Sequence, residues 1–214
     1  MSELLECVVA FRNSQATTLV AIDGHGAAGK STLAAALASA LKTLGQRVSI
    51  IRGDDFYRPS SVRPRGAGAE KGIDDDFDWE RLRDQVVDPL RHGRAASYSR
   101  YDWVEDALAE THVLAPRGIV VVEGISSLRR ELAALYDVRV WVDCPRDLRL
   151  ARAIARDGEA CRSLWVDNWM PREDLYVNEH RPDRAADLVL SGLGDGPPGA
   201  TGGPATPGRA WKHR

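Results

Sequence analysis

Only three cysteines, Cys7, Cys144 and Cys161, occur in 214 residues. They are widely spaced, odd in number and never form a C-x-x-C pair, so neither a disulfide framework nor a zinc site is indicated, and they read as incidental thiols of a reducing compartment. Also missing is any apolar run of the roughly 18 to 20 residues that a membrane span needs, and the first residues lack the layout of a secretory signal. There is no excess of basic charge either. The formal net charge is -2 and the pI is near 6.2, so the local arginine clusters of the C-terminal half do not add up to a nucleic-acid footprint. No segment repeats. These absences predict a cytoplasmic protein that works on a small molecule, with no nucleic acid and no membrane among its partners and a homo-oligomer left open.

What is present is a composition with 43% hydrophobic residues, enough to bury one core in one domain. Apolar β-rich runs alternate with helical patterns, the signature of a parallel sheet covered on both faces. Strands are predicted at 17–22, 47–51, 118–122, 138–142 and 187–190, and helices at 3–11, 31–44, 78–91 and 146–157. Gly45 serves as a helix C-cap. Residues 59–71, rich in Gly, Pro and Arg, read as a mobile loop. Residues 192–214 lack the apolar content to fix themselves and read as a disordered tail after a domain spanning 1–191.

Between the first strand and the second helix stands Gly24-His25-Gly26-Ala27-Ala28-Gly29-Lys30-Ser31, which fits G-x-x-x-x-G-K-[ST]. In that context the glycines let successive N–H groups converge on phosphate oxygens at the positive end of the new helix. Lys30 then reaches the β/γ-phosphates, and the Ser31 hydroxyl joins a Mg²⁺ shell, with Thr32 next to it on the first turn. The pattern predicts a bound nucleoside triphosphate, with Mg²⁺, in a phosphate-loop NTPase fold: three α/β/α layers with a parallel sheet of about five strands. The second strand ends in Gly53-Asp54-Asp55-Phe56-Tyr57-Arg58, which puts two acids at the carboxyl edge of the sheet, where such sheets bind ligands. A kinase acting on an alcohol needs a carboxylate there to accept the hydroxyl proton.

Five further stretches occur in order: Asp54-Asp55-Phe56-Tyr57-Arg58, Asp76-Phe77-Asp78-Trp79 through Leu82, Tyr101-Asp102-Trp103, Val120-Val121-Val122-Glu123-Gly124, and Arg149-Leu150-Ala151-Arg152 through Arg156-Asp157. On these residues the chain resembles the uridine kinase and phosphoribulokinase branch of the phosphate-loop kinases. The resemblance implies an ATP-dependent phosphotransferase with an alcohol acceptor and an arginine-rich helical lid over about 146–180. Asp54 would be the base and lie near the metal, with Lys30 and Arg156 also catalytic. Tyr57, Arg58, Tyr101 and Trp103 would line the acceptor site, and Glu123 would hold Mg²⁺ with Ser31. Arg152, Arg156 and Arg162 would close over the phosphates.

Two departures stand out. Where the uridine kinases follow Y-D-F with a histidine that reads the pyrimidine, this chain has Val104-Glu105-Asp106-Ala107-Leu108, and the acidic Asp74-Asp75-Asp76 replaces the family's D-H-P pattern. A nucleoside-like acceptor is the leading expectation. A sugar, vitamin or antibiotic alcohol is the alternative, and a non-catalytic nucleotide switch is a third, against which stands the lack of an N-K-x-D motif. Trp165 and Trp169, four residues apart, read either as a core pair or as a pocket cover. His25 and His180 read as structural.

Overall fold

The computed structural model describes residues 1–12, 15–63 and 72–193. The expected tail beyond residue 193 and most of the 59–71 loop lie outside the described residues. The strands are β1 (Thr17–Gly24), β2 (Val48–Arg52), β3 (Ala96–Asp102), β4 (Ala107–Leu114), β5 (Gly118–Glu123), β6 (Val138–Asp143) and β7 (Leu188–Ser191). Five of them form one sheet in the order β2-β5-β1-β6-β7, and every neighbouring pair is parallel.

Strands buried on both faces favour continuous apolar runs, which Leu19–Ile22 of β1 and Ile119–Val122 of β5 supply. Alternate residues then serve opposite layers. Leu19, Ala21, Val120 and Val122 face one core with Leu82, Val86 and Leu90. Val20, Ile22, Ile119 and Val121 face the other, with Leu4 and Val8 of helix α1 (Ser2–Phe11) and Ala34, Leu37 and Leu41 of α2 (Lys30–Thr43). Each fully buried Leu, Ile or Val contributes roughly 1.5–3 kcal/mol. This is the three-layer α/β/α phosphate-loop fold that the alternation predicted.

The helix expected over 78–91 is present as α3 (Trp79–Leu82) and α4 (Asp88–Arg91), joined by a π turn at Arg83–Val87. Asp78 caps it, its side chain accepting from the Arg81 N–H at 3.2 Å. Further on come α5 (Arg130–Ala133), α6 (Arg146–Asp157), α7 (Arg162–Leu164), α8 (Met170–His180) and α9 (Pro182–Ala185), with a second π turn at Trp165–Trp169 leading into α8.

The antiparallel β3–β4 hairpin went unforeseen, and it stands apart from the main sheet. Its residues are mostly polar, with Ala96 and Tyr98 turned to the core. A register shift between Ser99 and Tyr101 re-aims the strand, so that Tyr101, three residues from Tyr98, is also buried. Helix α8 falls within the helical segment expected over about 146–180; what went unforeseen is its set of contacts to the phosphate loop.

Candidate active site

The loop between β1 and α2 adopts the cradle conformation. Gly29 has φ 106° with open space around it, so backbone conformation alone calls for glycine there. Gly26 is constrained differently: a Cβ would lie 2.5 Å from Glu173 Oε1 and 2.7 Å from Trp165 Cζ3. Ala27 is held at φ 59°, a conformation that costs on the order of 1–3 kcal/mol for a residue with a side chain and clusters at ligand sites. The Lys30 ammonium is buried and donates to the carbonyls of Gly24 and His25, both at 2.8 Å. It is thus anchored at the mouth of the loop.

Parallel register sets Glu123 beside Ile22 and Arg52 at the strand ends. The Ser31 hydroxyl donates to its carboxylate, 3.1 Å from each oxygen. Burial pushes the Glu123 carboxyl up, Lys30 pulls it down, and the neighbouring Asp54 charge raises it. A buried acid beside a hydroxyl and a second acid offers hard oxygen donors of the kind that fit Mg²⁺, which takes one or two carboxylates and completes its shell from phosphates and water.

Asp54 and Asp55 follow β2 in a 3₁₀ turn and part company there. Asp54 faces a pocket, whereas Asp55 turns back to accept from the Tyr98 hydroxyl at 3.2 Å. The pocket encloses about 540 Å³ of space open to solvent. Asp54 and Glu173 line it together with a buried ion pair, Arg172 Nη1 to Asp76 Oδ2 at 2.7 Å. Tyr57, Phe77, Trp103, Trp165 and Trp169 supply aromatic walls. Trp165 and Trp169 meet edge to face, 4.7 Å between centroids. They are both core and pocket: Trp165 packs with Ala153 and Met170 on one side and covers Gly26 on the other.

Helix α8 touches the loop at two places and the end of β1 at a third. Glu173 accepts from the Gly26 N–H at 3.0 Å, Asp174 faces His25 Nε2 at 3.4 Å, and the Tyr176 hydroxyl donates to Asp23 at 2.5 Å. Asp23, wholly buried, also accepts from the Leu128 N–H at 2.7 Å. Burial pushes it up to about 6, against the pull of the Tyr176 hydrogen bond. His25 is driven down to about 4 by burial and by Arg149, so it stays neutral near pH 7. Burial pushes Glu173 up to about 7, with Lys30, the Gly26 N–H and Arg149 pulling down and Asp174 pushing up. The Arg149 guanidinium, also buried, lies 3.4 Å from Glu173.

A nucleotide in the cradle brings negative charge beside Glu173 and favours its protonated form. Mg-ATP affinity should therefore fall about tenfold from pH 6 to pH 8, because one pH unit above its pKa the carboxyl is mostly ionised and must take up a proton first. Glu173→Gln should flatten that slope in calorimetric titrations across this range. Asp23, at about 6, is common to both proteins, so an equal slope in the variant would assign the effect elsewhere.

The remaining expected site residues fall in different places. Tyr57 and Trp103 are on the pocket wall, 4.6 Å apart between centroids. Tyr101 stands one layer behind, its ring 5.6 Å from Tyr57 and its hydroxyl on Asp106 at 2.6 Å. Arg58 turns outward to Asp78 at 3.3 Å. Arg156 lies over the Trp165 ring, paired with Asp157 at 2.8 Å and close enough to feel Asp54 and Glu173. Arg152 donates to the Gly192 carbonyl at 2.8 Å, at the end of β7. Arg162 is paired with Glu159 on the surface, and Thr32 is exposed on the first turn of α2. His180 is buried against α5, 3.7 Å from Glu131, as a structural residue would be. Sequence reasoning assigned no role to Asp23 or Arg172, took Arg149 only as one of three arginines on a lid-helix face, and left Glu173 and Tyr176 in a run read as core or pocket cover. The one signal was the unusual run of aromatic and charged residues over 164–176.

The model of the Phosphoribulokinase / Uridine kinase family matches residues 19–168. A uridine kinase of Staphylococcus carnosus is 31% identical over 185 residues, 82% of this chain and 87% of that protein. One from Mycoplasma genitalium is 29% identical over 183 residues, 80% and 84% of the two chains. Among solved structures, a possible uridine kinase from Bacillus stearothermophilus superimposes with a TM-score of 0.71 at 22% identity, over 88% of this chain and 96% of that one. A putative fructose transport system kinase from Silicibacter sp. superimposes with a TM-score of 0.70 at 25% identity, over 88% and 98%.

Proposed function

Since the chain belongs to the Phosphoribulokinase / Uridine kinase family, we propose that it is an ATP-dependent kinase moving the γ-phosphate to a hydroxyl of a nucleoside-like acceptor, in the cytoplasm. The observation that carries this reading is the meeting of the two halves of such a reaction: Glu173 touches the phosphate loop and lines the Asp54 pocket at once. An acceptor in the pocket thus lies against the donor's loop.

In this mechanism the loop N–H groups and Lys30 hold the β- and γ-phosphates. Ser31 and Glu123 would hold Mg²⁺, which would supply positive charge against the phosphates. Asp54 accepts the proton of the attacking hydroxyl, and Arg156 offers charge to the equatorial oxygens. Trp165 and Trp169 exclude water from the transfer, which keeps ATP from being hydrolysed instead.

A second reading, in which a sugar is the acceptor, is favoured by the likeness to the Silicibacter protein. Incubation with Mg-ATP and a panel of nucleosides, sugars and vitamins, with ADP and product mass followed together, tests both. A phosphorylated nucleoside is the expected product. A phosphorylated sugar alone would favour the second reading, and tight nucleotide binding with no turnover on any acceptor would reject both.

A further inference from the structure

Asp23 closes the apolar run of β1 and continues the row of Leu19 and Ala21 on one face of the strand, yet it is a carboxylate with no exposed surface. Packing alone does not call for an acid there, because an ionised group in the interior is costly unless hydrogen bonds surround it. Three donors converge on it. Oδ1 accepts from the Gly24 N–H at 2.6 Å, and Oδ2 accepts from the Leu128 N–H at 2.7 Å and from the Tyr176 hydroxyl at 2.5 Å. The Lys30 charge also reaches it. A second hydroxyl, that of Tyr136, is buried near enough to feel the carboxylate but has no hydrogen-bond partner among the described residues.

Each of the three bonds leads to a different part of the site. Gly24, held by the first, offers its carbonyl to the Lys30 ammonium at 2.8 Å, so this bond fixes the residue on which Lys30 rests. Leu128, held by the second, ends the turn that follows Glu123. Ile125 of that turn lines the pocket, and Ser126 is kept at φ 74°, a conformation that persists only where the surroundings impose it. The turn presses on the residue before Asp54: a Cβ on Gly124 would stand 2.9 Å from the Gly53 Cα. Tyr176, which makes the third bond, lies one helical turn beyond Glu173 and so seats the part of α8 that forms the pocket wall.

We propose that Asp23 is a positioning residue, which holds the phosphate loop, the turn behind Asp54 and helix α8 in one register so that Lys30, Asp54 and Glu173 meet at fixed separations. Its effect on rate rests on the kinase reading, but the tie itself can be read by hydrogen exchange with no substrate present. Tyr176→Phe removes one hydroxyl, keeps the ring and leaves the buried carboxylate with two neutral N–H donors. Exchange should then quicken in α8 and also in the 24–30 loop and the 124–128 turn, whereas a bond that served α8 alone would confine the change to that helix. Asp23→Asn, which sets an amide NH₂ against at least one of the N–H donors, should loosen all three segments further. Tyr136→Phe removes the neighbouring hydroxyl and should change none of them. In turnover, Tyr176→Phe should lower kcat about tenfold and Asp23→Asn about thirtyfold, with acceptor KM and Mg-ATP affinity within about threefold of the unaltered protein, because misplaced groups weaken the transition state more than the ground state. Single-turnover rate constants at saturating protein make that comparison independent of the folded fraction, and where Asp23→Asn does not fold, Tyr176→Phe alone decides. Exchange changes confined to α8 in Tyr176→Phe, a loss in KM in place of kcat, an unaltered kcat, or an equal loss in Tyr136→Phe would each overturn the proposal. Concerted loosening of the three segments in a protein that phosphorylates no acceptor would uphold the tie and reject the kinase reading instead.

Discussion

Asp54→Asn should lower turnover on order of 10²–10⁴-fold, the range that a positioned general base supplies, while leaving Mg-ATP affinity nearly unchanged. The amide keeps the size of the side chain and loses only its ability to take a proton. Asp54 sits in the pocket and close enough to Glu123 to raise its pKa, so it belongs at the junction of acceptor and metal rather than in the nucleotide's own contacts. Asp55 gives the contrasting control. Its carboxylate is spent on Tyr98 behind the turn, and Asp55→Asn retains an acceptor for that hydroxyl, so it should change turnover little. Single-turnover ADP formation alongside equilibrium nucleotide binding separates the cases. Full turnover in Asp54→Asn would remove Asp54 from the chemistry, and equal losses in both variants would point to a damaged turn.

Strand-end position alone left the adjacent acids equivalent, and only the resemblance singled out Asp54; the reason is geometric. The motif gave the turn, but which carboxylate faces the pocket depends on the hairpin that delivers Tyr98, and the hairpin's mostly polar strands gave no apolar run to notice. The phosphate loop was legible because its signals are local: a pattern of eight residues, an apolar strand before it and a helix after it. The strands of the main sheet were legible for the same reason, being short β-branched runs, and their observed bounds differ from the expected ones by one or two residues. The arginines of α6 show the limit of helical spacing. Arg149, Arg152 and Arg156 share one face, yet Arg149 is buried on Glu173 and Arg152 is tied to the end of β7. Only the packing of α8 and of the chain after β7, both well downstream, distinguishes them. Contacts such as Gly26 to Glu173, 147 residues apart, leave no trace in local pattern.

Gly26→Ala carries the second large effect, because one methyl group tests whether the seating of α8 on the loop matters to the reaction. The added carbon would stand 2.5 Å from Glu173 Oε1 and 2.7 and 2.9 Å from two atoms of the Trp165 ring, closer than such atoms approach in folded proteins. The carboxylate could swing aside, but Trp165 is held by its indole N–H on Asp157 at 3.0 Å and by its partner Trp169. The methyl is therefore accommodated by lifting the whole 165–173 segment, which carries Arg172 and Glu173 with it. Misplacing positioning groups by about 1 Å costs on the order of 10²-fold in rate, so kcat/KM should fall by about that factor. The core clusters of the sheet do not include Gly26, so the unfolding temperature should move by only a few degrees. Because the lifted segment bears both the wall of the acceptor pocket and the carboxyl on the loop, the loss should be shared between acceptor KM and kcat. A variant with unaltered kcat/KM would mean that the lid contact is an ornament of the free enzyme and opens fully before phosphoryl transfer.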